Sequence, residues 1–205
     1  MKKFLVLTAL MLCVILGLPA WAAGPMSGSF SADVVTTSPA GSHTSKMFVK
    51  EGKTRMEVNG QDHEVTTIMR TDKKVIWMLM PGQKMYMEMP FDQKKADISS
   101  KMSDPEVQVD KKFLGNETVE GHPTKKYHIT LTKKGKKETS GYLWEATDMN
   151  NFPVKYQTED RQITTVWKNV KMGGVNDSLF EVPAGYKKMS MPGGMGGFMM
   201  PRGGR

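Results

Sequence analysis

The sequence holds a single cysteine, Cys13, inside an apolar N-terminal run. Once that run is removed, no disulfide, thiol nucleophile or zinc–thiolate site is available. Long apolar stretches are as scarce. Phe4 to Leu18 spans 15 residues, short of the roughly 20 a membrane-crossing helix needs, and no second such run follows. Histidine occurs four times, and His43, His63, His122 and His128 form neither an H-E-x-x-H motif nor a pair at helical spacing. No G-x-S-x-G, P-loop or dinucleotide fingerprint is present. The carboxylate pair Glu159-Asp160 sits beside Arg161 in an expected turn. These absences predict a protein that is not an enzyme and uses no cofactor.

Acids are outnumbered by bases, 21 to 29, for a formal net charge of +8. The first 22 residues explain part of this. Lys2 and Lys3 precede the apolar core, and Ala20-Trp21-Ala22 forms an A-x-A cleavage site. This is the pattern of a cleaved signal peptide, and it predicts export to the bacterial periplasm. Without residues 1–22 the charge falls to +6 over 183 residues, enough chain for one domain with a real core. The surplus favours anionic surfaces such as phospholipid headgroups or lipopolysaccharide. Nucleic acid is not expected, since no basic-aromatic recognition motif occurs. Residues 187–205, KKMSMPGGMGGFMMPRGGR, carry six glycines and two prolines and do not support a packed element. The expected organisation is a signal peptide over 1–22, a domain over 23–188 and a flexible Gly/Met-rich tail over 189–205.

What the chain does have is methionine in alternation. From Trp77 to Met89 it reads WMLMPGQKMYMEM, with five methionines on either side of a Pro-Gly turn. Alternation is the strand period. If Met80 pairs with Met85, then Met78 lies opposite Met87 and Ile76 opposite Met89. Upstream, Glu51-Gly52, the turn starting at Asn59-Gly60 and Thr71 to Lys74 all read as even-numbered loops. Even loops keep face identity, so one face collects Met47, Met56, Met69, Ile76, Met78, Met80, Met85, Met87 and Met89. The opposite face mixes Arg55, Arg70 and Glu64 with Phe48, Ile68, Trp77, Leu79 and Tyr86. Downstream of Pro105 the strand pattern returns, with Lys125 to Thr132, Glu138 to Glu145, Val154 to Thr158 and Ile163 to Val170. Residues 92–104 break it as a short amphipathic helix or loop, and Asp177 to Phe180 suits one helical turn.

Several segments in order resemble the periplasmic lipoprotein-carrier superfamily, the LolA/LolB-like proteins. They are Lys53-Thr54-Arg55-Met56-Glu57, Val75 to Pro81 with Lys84 and Tyr86, Leu114 to His122 with Lys126-Tyr127, Phe152 to Tyr156, and Leu179-Phe180-Glu181-Val182-Pro183-Ala184-Gly185-Tyr186. The resemblance covers roughly residues 28–188. It implies a mainly β fold, a strongly curved antiparallel sheet forming a half-open barrel around an apolar cavity, with one or two short helices as lid. It also implies an acyl chain or lipoprotein as partner. The chain departs from the carriers at the lid arginine, because Arg55 points away from the methionine face on this parity.

The function expected is non-catalytic binding of an apolar or lipid-like ligand on the methionine face by a monomer. Methionine suits varied apolar shapes through its three rotatable bonds and polarisable sulfur. The competing plain reading is a core lined by methionine. Two alternatives come from other classes. Thioethers are soft ligands for Cu(I) or Ag(I), and Met189, Met191, Met195 and Met199 add spacings of that kind. A protein-interaction or stress-sensing domain is the third.

Overall fold

Six short strands follow one another along the first half of the chain. They are β1 (Phe30–Ser38), β2 (Gly41–Lys50), β3 (Lys53–Asn59), β4 (Glu64–Arg70), β5 (Val75–Met80) and β6 (Met85–Pro90). The second half supplies β7 (Val107–Val119), β8 (His122–Lys133), β9 (Lys136–Ala146), β10 (Phe152–Thr158), β11 (Thr164–Met172) and the two-residue β12 (Lys187–Lys188). This computed structural model describes residues 28–59, 64–91, 107–133 and 135–189. The twelve strands form one sheet in the order β12-β6-β5-β4-β3-β2-β1-β11-β10-β9-β8-β7. Every pairing is antiparallel except β12 against β6.

The turns are written in the residues that make them. Glu51 and Gly52 both take positive φ, 45° and 75°, the geometry of a two-residue hairpin whose twist matches its strands. Glu120 and Gly121 repeat it between β7 and β8, at 51° and 83°. Pro81–Gln83 make a 3-10 turn that Lys84 ends in the left-handed region. The β2–β3, β4–β5 and β5–β6 loops are all even, pairing Lys50 with Lys53, Arg70 with Val75, and Met80 with Met85.

Two apolar clusters hold the sheet. The first gathers Phe30, Val34, Met47 and Met56 from β1–β3 with Trp144, Phe152 and Trp167 from the second half, and Phe30 meets Phe152 edge-on at 5.1 Å. The second packs Ile68, Trp77 and Leu79 under Val175 and Phe180. Close packing in the second half also fixes a glycine. A Cβ at Gly141 would stand 2.5 Å from the Gln157 carbonyl oxygen and 2.9 Å from the Tyr156 hydroxyl. Gly141→Ala is therefore expected to cost about 1–3 kcal/mol through overpacking, read as a lower urea midpoint at unchanged slope.

Mainly β and antiparallel hold; the half-barrel with a helical lid does not. The sheet ends on two separate edges, β12 and β7, and is neither closed nor strongly curled. Among the described residues there is no α-helix. Residues 92–104 lie outside the described residues, and Asp177–Phe180 is a 3-10 turn, capped by Asn176 accepting from the Ser178 N–H. The physical reason is that alternation fixes strands and faces, whereas curvature depends on twist, bulges and what packs between the ends. Here the chain after β11 covers one face as an extended strap, so no helix is required there.

Candidate functional site

The methionine face assembles from register. Met80 pairs with Met85, Met78 with Met87 and Ile76 with Met89. Met69 lies opposite Ile76, Thr67 opposite both Met78 and Met56, and Met56 opposite Met47. All nine residues expected on this face share it, but they divide by depth. Met47 and Met56 are 2% and 7% exposed and belong to the first core cluster with Phe30 and Trp167. Met69, Ile76, Met78, Met80, Met85, Met87 and Met89 are half-buried across β4–β6 and belong to neither cluster. They form an apolar stripe three strands wide. The sheet's openness makes it a face, not the enclosed cavity expected.

At the β6 edge the stripe meets β12. Lys187 pairs in parallel with Met85, and the Met189 N–H donates to the Tyr86 carbonyl at 2.8 Å. The orientation is fixed from the other side. Lys188 Nζ donates to Glu88 at 2.7 Å, and Trp77 Nε1 donates to the same carboxylate at 3.0 Å. Lys188 thus lies on the Trp77 face, and strand alternation turns its neighbours Lys187 and Met189 toward the stripe. Met191, Met195 and Met199 lie outside the described residues.

The opposite face is sealed by the strap. Phe180 is fully buried against Ile68, Trp77 and Leu79, flanked by Leu179, Val182 and Tyr186. Arg55 Nη1 donates to the Leu179 carbonyl at 3.0 Å, which places it under the strap and away from the stripe, as its parity requires. Arg70, 5% exposed, donates to both Asp72 oxygens, to the Phe180 carbonyl at 3.1 Å and to Glu181. The Asp72 carboxylate, ahead of the opposing desolvation, holds the Arg70 guanidinium above its ordinary range. Lys73 and then Arg70 hold Glu181 low, Lys188 and then Trp77 hold Glu88 low, and Lys50 and then Lys53 hold Asp177 at about 2.

These depressed carboxylates fasten the strap by charge. A group whose folded pKa lies below its unfolded one contributes stability above the unfolded value and loses it as pH falls through the folded value. The strap is therefore expected to loosen between about pH 4 and pH 2, the window set by Asp177. Hydrogen exchange of the amides of 175–188 checks this. A profile unchanged in Asp177→Asn would contradict it.

The remaining candidates carry less. His122 pairs with Asp148 at 2.8 Å and His128 with Glu159 at 2.9 Å, both part-exposed at the surface. Among the described residues no group of three or more His, Cys, Asp or Glu is arranged to hold a metal. A cleft of about 480 Å³ opens at the bulge between β1 and β11, away from the stripe, lined by Asp33, Lys46, Phe48, Asn169 and Lys171 among others. Asn169 donates to Asp33 there at 2.8 Å. The part played by the strap and by Lys187 went unread in sequence. The signal for the strap was present, since Ile68, Trp77 and Leu79 alternate on a face that had to be covered.

A family model described as a domain of unknown function, DUF4412, matches residues 31–152. No curated protein matches the sequence. Among solved structures, an uncharacterized conserved protein from Thermus thermophilus matches at 12% identity and a TM-score of 0.55, over 89% of this chain and 98% of that one. The lipoprotein LppX of Mycobacterium tuberculosis matches at 12% identity and 0.50, over 76% and 93%. A LolA superfamily protein from Nitrosomonas europaea matches at 12% identity and 0.36, over 76% and 90%. The likeness to the Thermus thermophilus protein and to LppX is one of fold alone.

Proposed function

We propose, for a chain that belongs to the DUF4412 family, a non-catalytic role in the bacterial periplasm: binding an acyl chain or similar apolar ligand on the β4–β6 methionine stripe. The observation that carries this reading is the division of the methionines by depth. Met47 and Met56 fill a core, which is what the plain reading required of all of them. Seven neighbours on the same face stay half-exposed and contiguous, while the opposite face of the same strands is sealed. Contiguous exposed apolar surface marks interaction sites. Each methylene removed from water is worth roughly 0.8 kcal/mol, so about ten supply roughly 8 kcal/mol before ordering costs. The N-terminal pattern of residues 1–22 supports export.

Native mass spectrometry of protein purified from the envelope, followed by solvent extraction, tests the reading. The expected result is an intact mass starting at Ala23 with co-purified lipid. Reproducible absence of lipid, together with no uptake of a fluorescent fatty acid, would sink it.

One observation favours a second reading. Met78, Met87 and Met189 form a row across three adjacent chain segments on one face, and strands lie about 4.8 Å apart. Three thioethers so placed suit Cu(I) or Ag(I). Calorimetric titration with Ag(I) decides it, and affinity no tighter than micromolar ends it.

A further inference from the structure

We infer that the ligand of the stripe is an amphiphile with an anionic head, carboxylate or phosphate, which Lys187 holds at the β5–β6 turn while the chain lies along Met85, Met87 and Met89. The inference rests on the apolar-ligand reading and adds the polarity and direction of the ligand.

Charge on this face is the first observation. Among the described residues from β3 to β12 it presents Thr54, Thr67 and the methionine stripe, and no carboxylate. The one charge that the strands themselves place on this face is Lys187, in register with Met85 and hence with Met80. The second observation is pairing. Lys50 and Lys53 pair with Asp177, Lys73 with Glu181 and Lys188 with Glu88. Lys187 has no side-chain partner among the described residues; only its backbone is engaged, donating to the Lys84 carbonyl at 2.9 Å. On the strap side Lys50, Lys53, Lys73 and Lys188 are thus neutralised, while Lys187 stands at the rim of the apolar side without an ion pair among the described residues. Lys84, exposed at the same turn, adds a second positive charge.

Geometry gives the direction. Met85, Met87 and Met89 descend from the turn along one strand, about 13 Å at the usual rise. A head at the β5–β6 turn therefore lays its chain over the stripe. A charge beside apolar surface is less screened than one in open water, so an ion pair there counts for more than at an ordinary surface site. A cationic or uncharged head forgoes it.

The test compares three probes with the same saturated tail: dodecanoate, dodecyl phosphate and dodecanol. Each is titrated below its aggregation threshold into the protein and into Lys187→Glu and Lys84→Glu. Dodecanoate and dodecyl phosphate are expected to bind about fivefold or more tighter than dodecanol. Lys187→Glu is expected to erase or reverse that preference while leaving dodecanol affinity within about twofold. A larger effect for dodecyl phosphate than for dodecanoate assigns a phosphate head, and the converse a carboxylate. Equal affinity of all three for the unaltered protein overturns the inference and leaves apolar binding standing. So does a preference that survives Lys187→Glu, including one lost only in Lys84→Glu. Failure of all three to bind removes the apolar-ligand reading, and this inference with it. Self-association that buries the stripe in place of probe overturns both as well.

Discussion

Phe180→Ala is expected to lower the unfolding free energy by about 3–5 kcal/mol. The side chain is fully buried between Ile68, Trp77 and Leu79, and its loss leaves a ring-sized void. The backbone at this point cannot move in to fill it. The Phe180 carbonyl accepts from Arg70, and the adjoining Glu181 is tied to Arg70 and Lys73. Urea unfolding measures the loss. Hydrogen exchange is expected to show it concentrated in residues 175–188 and β4–β5, with the cluster around Phe152 and Trp167 protected as before. A loss below about 1 kcal/mol would mean that the strap does not seal this face.

The second large effect concerns binding. Met78→Asp combined with Met87→Asp is expected to weaken an acyl ligand about 100-fold or more, since each carboxylate sets an unpaired charge where the chain would lie. The two residues pair across β5 and β6 at the centre of the stripe. Both are half-buried and outside the core clusters, so the fold is expected to survive with a small shift in melting temperature. Titration of dodecanoate into the double variant, with its melting curve alongside, checks both parts. A fold that collapses would return Met78 and Met87 to the core. Unchanged affinity would move the ligand elsewhere.

How far the sequence could be read depends on which forces act locally. Glu51-Gly52, Thr71 to Lys74 and Pro81 to Lys84 set loop parity within a few residues, and parity carried the methionine face through β2–β6 without a slip. Depth on that face is a different matter. Met47 and Met56 are buried because Phe152 and Trp167, more than 90 residues later, join their cluster. Nothing within β2 or β3 distinguishes them from Met78 or Met87. The strap was legible only as a motif, FEVPAGY, and not as a cover, because its contacts with Ile68 and Trp77 cross the whole chain. The strong curvature expected from the motifs is absent for the same kind of reason. Curvature depends on the number and placing of bulges such as those at Ser31/Asp33 and Pro153/Lys155, and alternation does not predict them. Lys187 looked like the start of a Gly/Met tail until the pairing of β12 with β6 put it beside Met85.

The central claim is that a ligand lies on the half-buried methionines of the stripe and leaves the fully buried ones alone. Methyl NMR of protein carrying 13C-labelled methionine, titrated with dodecanoate, measures this residue by residue. The account predicts saturable shifts at Met78, Met80, Met85, Met87 and Met89, with Met47 and Met56 unmoved. Stripe methyls that stay still at saturating dodecanoate, or shifts confined to Met47 and Met56, would contradict it.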